Sequence, residues 1–134
     1  MSFGDAIKTV FSKYATFSGR ARRSEFWYWY LFVSIVNFVF SIIWNISMAG
    51  AMTATTVEGM LAGMFNWAYY LWILVSLVFL LPTLGVTWRR LHDTNRSGGF
   101  YFLALIPLVG PIILLVFLVQ DTVAGDNRFG PSPK

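Results

Sequence analysis

Three long stretches of this chain carry no Asp, Glu, Lys, Arg or His: one between Glu25 and Glu58, one from Gly59 to Trp88, and one from Ser97 to Gln120. A hydrocarbon core of about 30 Å takes about 20 consecutive apolar residues in helical form. The part from Phe26 to about Met48 meets that length, and so does the most apolar part of the second stretch, from about Trp67 to Val86. Only 12% of the 134 residues are charged and 57% are hydrophobic, whereas an ordinary soluble domain is about 25% charged. A water-soluble globule of this composition would lack the charge to cover its surface. The length leaves room for one domain and excludes a large catalytic one. With no cysteine there is no disulfide, thiol nucleophile or thiolate metal site.

The expected fold is an all-α membrane protein, a single polytopic domain over residues 1–134. An amphipathic helix over 3–17 precedes membrane segments at 26–48, 66–88 and 98–120, and a polar tail fills 121–134. A secretory signal peptide competes for the first segment, because Ala49-Gly50-Ala51 has the small residues of a cleavage site. The apolar run is longer than a usual signal core, however, and follows about 25 patterned residues, which favours a retained span.

The third segment contains Pro107 and Pro111, each of which removes a helix donor. It is either one kinked helix or a re-entrant pair of half-helices turning at residues 107 to 111. The kinked span is preferred, since halves of about eight to ten residues are too short to cross separately. Orientation follows from Lys and Arg, which concentrate in cytoplasmic segments. Five precede the first span (Lys8, Lys13, Arg20, Arg22, Arg23), none lies in the first loop, three are in the second (Arg89, Arg90, Arg96) and two are in the tail (Arg128, Lys134). Three full spans therefore predict a cytoplasmic N-terminus and Arg89 loop with the tail outside; a re-entrant third segment would return the tail to the cytoplasmic face. Trp27, Tyr28, Trp29 and Tyr30 would anchor the inner end of the first span, and Trp67, Tyr69, Tyr70 and Trp72 the outer end of the second, with Trp88 and Tyr101 bracketing the inner loop.

Ahead of the first span, Phe3, Ile7, Val10, Phe11 and Tyr14 recur at helical spacing, with Asp5, Lys8, Thr9, Ser12 and Lys13 on the other face. This pattern predicts a helix in the membrane interface, capped by Ser2 and Asp5 and stopped at Ser18-Gly19. Lys8 and Lys13 would face anionic lipid. The alternative is that the apolar face packs on the protein's own inner loop.

Most of the remaining charge falls in two blocks, Gly19 to Trp27 and Arg89 to Gly98. If the second span continues helically, Asp93 lies three residues after Arg90 and four after Arg89, so either arginine can pair with it. Thr94 through Gly99 would end that helix. Glu25 needs a cation if buried, and the Arg89 loop is the nearest source by topology. The candidate cluster for contact with lipid or a partner is Arg20, Arg23, Glu25, Arg89, Arg90, His92, Asp93 and Arg96.

At these residues the chain resembles the domain-of-unknown-function 805 family of small bacterial inner-membrane proteins. Gly19, Arg20, Arg23, Phe26 and Trp27 match its Gly-Arg-x-x-Arg-x-x-Phe/Tyr-Trp element. Residues 89 to 93 and 96 to 98 match its Arg-Arg-Leu-His-Asp and Arg-Ser-Gly strings, and Asn127, Arg128, Phe129, Gly130 and Pro133 match its C-terminal motif. The likeness covers about Phe17 to Pro133; Gly99 stands where many members have Trp, and Phe129 replaces the more usual Tyr. It implies a multi-pass bacterial inner-membrane protein and supplies no activity. It also implies that the three polar motifs cluster on one face, against the three-span count.

His92 is the sole histidine, and with Asp93 it offers too few ligands for a closed metal site. No hydrolytic triad or phosphate loop has recognisable context, and no cofactor is expected. Ion-coupled transporters place ionisable groups inside their spans, which this chain does not. Ser34, Asn37, Ser41 and Asn45 form a polar stripe on the first span, suited to bonding a neighbouring helix. The expected function is binding, without catalysis, of anionic lipid or a protein partner through the inner-face cluster, with no role for nucleic acid. The rival is a homo-oligomeric channel or transporter subunit whose stripe faces a pathway. A lipid-modifying enzyme using His92 and Asp93 is a more distant alternative.

Overall fold

The computed structural model describes residues 1–133; Lys134, counted above with the tail's positive charge, lies outside them. The helices are α1 (Phe3–Ser12), α2 (Arg23–Ser47), α3 (Ala49–Met52), α4 (Val57–Met64), α5 (Trp67–Asp93) and α6 (Val109–Val119), with a 3-10 segment at Gly98–Leu105. Among the described residues the only β feature is an isolated bridge between Asn127 and Gly130. At 1.5 Å per residue, the 25 residues of α2 and 27 of α5 extend about 38 and 40 Å, enough to cross a bilayer. Their middles carry exposed apolar side chains, such as Phe38 at 66% and Leu77 at 60%, the opposite of a soluble core helix.

The chain divides into two compact units: Met1–Tyr30 together with everything from Leu81 onward, and Leu31–Leu80. In the second, the indole Nε1 of Trp72 donates to Asn37 Oδ1 at 2.8 Å, and that of Trp44 donates to the Met64 carbonyl at 2.9 Å. Asn66 caps α5, its Oδ1 accepting from the amides of Ala68 and Tyr69. The polar stripe of α2 is only partly interhelical. Asn37 reaches another helix, whereas Ser41 and Asn45 donate to the carbonyls of Phe38 and Ser41 in their own helix, the local bonding open to these short side chains.

In the first unit, Ser2 Oγ accepts the Asp5 amide at 3.2 Å, the expected cap. Helix α1 ends at Ser12, five residues before the predicted boundary at 17. The chain leaves the helix there to cross α5 at Gly85, where a Cβ would stand 3.1 Å from the Thr16 carbonyl oxygen. The apolar face of α1 buries Ala6 and Val10 completely. Phe3 and Phe11 pack edge-on against Tyr28 and Trp29 of α2, so the first turns of α2 receive part of this face.

The third hydrophobic segment is neither a span nor a kinked helix. The 3-10 turns and α6 fold back on each other about Pro107 and Leu108, and a Cβ on Gly110 would lie 1.6 Å from the Leu103 carbonyl oxygen. Both ends return to one place: Arg96 Nη1 donates to Gln120 Oε1 at 2.7 Å, and its guanidinium lies 3.9 Å over the Phe117 ring. At 11 residues, α6 rises about 16 Å, half the hydrocarbon core. The segment is a hairpin of two short halves, and its end returns to the unit that holds Arg20 and Asp93. The preferred single kinked helix is corrected: the prolines cost helix donors, and Arg90 and Arg23 hold the returning end.

Candidate functional site

Helix α5 extends past its apolar part by one polar turn, Arg89 to Asp93, and stops in a C-cap with Asn95 at φ 60°. The Asn95 amide donates to the His92 carbonyl and the Arg96 amide to the Leu91 carbonyl, both at 2.9 Å, the Schellman arrangement. The chain before α2 pairs with this turn through the Ala21 amide and the Arg89 carbonyl at 3.0 Å. The two charged blocks are thereby pinned side by side.

Asp93 is the hub. Its Oδ1 accepts Arg20 Nε at 3.0 Å, and its Oδ2 accepts Arg90 Nη1 at 2.5 Å and the Thr122 hydroxyl at 2.7 Å. Arg89 turns to the other carboxylate, with Nη1 2.6 Å from Glu25 Oε1 and Nε donating to the Thr16 carbonyl. All five ionic side chains are at most 3% exposed. Burial of this kind is costly for each donor left unused, and backbone carbonyls supply most of the further acceptors. Arg20 donates to the carbonyls of Val123 and Gly125, each at 2.7 Å, and to that of Gly130. Among the described residues, Arg89 Nη2 and Ser24 Oγ are the buried side-chain atoms without a partner.

Arg90 explains the re-entrant hairpin. Its Nε donates to the Leu118 carbonyl at 3.1 Å and its Nη2 to the Gln120 carbonyl, while Arg23 Nη1 takes the Val119 carbonyl between them at 3.3 Å. The last carbonyls of a helix have no partner within it and form the negative end of its dipole. Two guanidinium groups satisfy two of them, on Leu118 and Val119, and the carbonyl of the C-cap residue Gln120, which lets α6 end against the protein at this face.

His92 Nδ1 donates to the Gly19 carbonyl at 2.9 Å, and its ring stacks on Phe129 at 4.0 Å with a 2° interplanar angle. Asn127 Nδ2 donates to the His92 carbonyl at 3.0 Å. The histidine is thus a packing and docking group for the tail.

The structure brings together six of the eight candidate residues, Arg20, Glu25, Arg89, Arg90, His92 and Asp93, as an internal network, including the Glu25 to Arg89 bridge expected from topology. Of the two ways to pair Asp93 along α5, Arg90 is realised and Arg89 is not. Arg23 and Arg96 stay at the edge, Arg23 exposed and Arg96 half-buried. Sequence reasoning missed Thr122, Gln120 and the backbone acceptors of the tail. Backbone carbonyls carry no residue signature, although the Asn127 to Gly130 motif marked where they cluster.

The family model described as "Protein of unknown function (DUF805)" matches residues 14–131. The chain is 40% identical over 127 residues to the inner membrane protein YhaH of Escherichia coli K12, covering 93% of each chain. It is 36% identical over 126 residues to the inner membrane protein YhaI of the same strain, covering 94% of this chain and 92% of that one. No solved structure matches it significantly. The residues that build the buried network and its tail latch all lie within the matched range, and the chain belongs to the DUF805 family.

Proposed function

We propose that this protein is a multi-pass protein of the bacterial inner membrane that binds anionic lipid at the cytoplasmic face and catalyses no reaction. The supporting observation is how its basic residues divide. Arg20, Arg89 and Arg90 are consumed by the internal network, while Lys8, Lys13 and Arg23 remain exposed and Arg22 half-buried. The buried set is a scaffold, and contact falls to the exposed set. All nine described Lys and Arg residues belong to the unit that contains α1 and the tail, and residues 31–80 have none. The positive-inside rule makes that face cytoplasmic, and amphipathic α1 with its two lysines is suited to the headgroup layer.

The test is hydrogen exchange of residues 3–12 in the full chain, reconstituted in phosphatidylcholine vesicles with and without phosphatidylglycerol. Exchange is expected to slow with phosphatidylglycerol and to lose that response in Lys8→Ala/Lys13→Ala. Identical exchange in both vesicle types overturns the lipid reading. A stoichiometric protein co-purifying from native membranes through the same lysines would also overturn it, in favour of a protein partner.

A further inference from the structure

We propose that one anionic phospholipid is held at a defined site on this protein, with an acyl chain in the groove between α2 and the re-entrant hairpin and its phosphate on Arg23. The proposal deepens the reading above and rests on anionic lipid being the ligand of this face. The groove has a volume of about 290 Å³ and is lined by Phe26, Trp27 and Tyr30 on one side and Ala104, Leu115 and Leu118 on the other. That size is at the lower end for ligand clefts and suits a length of acyl chain. One wall is stiff: Trp27 meets Phe26 and Tyr30 edge-on with ring centres 4.9 and 5.7 Å apart. Tyr30 and Leu115 are 56% and 51% exposed, so the groove is open along its length.

The headgroup end is marked by Arg23. It precedes Phe26, Trp27 and Tyr30 by three, four and seven residues on α2, which places it on the same stripe, one turn before the aromatic wall. Its Nη1 donates to Val119, next to the groove residue Leu118, so the guanidinium joins both walls at that end. Arg23 is in none of the three ion pairs among the described residues, and a guanidinium has five donors in a fork that matches a phosphate. The network next to it buries three arginines against two carboxylates, and Asp121, close enough to act on Arg90, adds a third, so the charge of Arg23 itself is the excess. Excess positive charge at the end of an apolar groove selects a lipid with net negative charge over a zwitterionic one.

Native mass spectrometry of the full chain, purified in mild detergent and given equimolar phosphatidylglycerol and phosphatidylcholine, tests this. One retained phospholipid per chain is expected, with about a fivefold preference for phosphatidylglycerol. Arg23→Gln should bring the preference to parity, and Ala104→Trp should abolish retention. Leu115→Trp, at an exposed position, provides a second groove-filling variant should Ala104→Trp fail to fold. Lys8→Ala/Lys13→Ala should keep the retained lipid. Preference that survives Arg23→Gln, or retention that survives both groove-filling variants, overturns the site. If that happens while the lysine variant alone loses its lipid response in hydrogen exchange, the interfacial reading stands without the groove; no preference or response anywhere overturns both.

Discussion

Arg20 and Asp93, 73 residues apart in sequence, meet at 3.0 Å with side chains 1% and 0% exposed. From that pair Arg20 fans onto the carbonyls of Val123, Gly125 and Gly130, so one guanidinium ties the first charged block to the second and both to the tail. Removing the carboxylate strands two buried arginines, which costs about 3–5 kcal/mol when a buried pair is broken. Asp93→Asn is therefore expected to lower thermal stability in detergent sharply. Thr122→Val, which removes a single bond to the same carboxylate, should cost about 2 kcal/mol. Equal melting of both variants would contradict Asp93 as the hub.

The hairpin returns the tail to the unit that contains α1, so the proposed topology has both ends of the described chain on one side of the membrane. The chain has no cysteine, so single cysteines at exposed Lys8 and Asp126 can be labelled without background. Lys8→Cys and Asp126→Cys are expected to react with a membrane-impermeant maleimide from the same side, in oriented vesicles and in cells. Labelling from opposite sides would restore a third span.

Close backbone approach inside the hairpin depends on Gly110. A methyl group there would overlap the Leu103 carbonyl oxygen at 1.6 Å, and backbone cannot yield as a flexible side chain does. Gly110→Ala should cost about 1–3 kcal/mol and expose the hairpin to limited proteolysis. Gly50→Ala, where nothing lies within 4 Å of the added atom, serves as the neutral control.

In the other unit, the bond from Trp72 to Asn37 is the part of the α2 stripe that joins two helices. Asn37→Leu should destabilise by about 0.6 to 2 kcal/mol, the range for such bonds between membrane helices. Ser41→Ala, which removes a bond within α2, should change stability little. A larger effect at Ser41 than at Asn37 would assign the stripe another role.

The cap of α1 carries a pH dependence. Hydrogen bonds from the Ser2 hydroxyl and then the Ser2 amide hold the Asp5 carboxyl below its ordinary value. A depressed folded-state pKa contributes stability above the ordinary aspartate value, and that contribution is lost as pH falls through the folded value. Fraying of α1, followed as the protection of the Ala6 amide against hydrogen exchange, is expected to increase in the acid range and to depend less on pH in Ser2→Ala, which removes the hydroxyl and keeps the backbone amide.

Much of this protein was legible along the chain because its determinants are local. The charge-free runs located α2 and α5 within a few residues, the periodicity of Phe3 to Tyr14 located α1, and Ser2 with Asp5 marked its cap. The Glu25 to Arg89 pairing followed from a buried carboxylate needing the nearest cation. The course of the third segment did not follow, because Pro107 and Pro111 permit a kink and a reversal equally. The choice was made by the Leu118, Val119 and Gln120 carbonyls, which Arg90 and Arg23 receive only when the segment turns back. The sequence by itself determined a helical membrane protein with its charge gathered at one end. Tertiary structure decided that five of these charged side chains, Arg20, Glu25, Arg89, Arg90 and Asp93, face inward, because a guanidinium leaves water only where carboxylates and backbone carbonyls from distant parts of the chain converge on it.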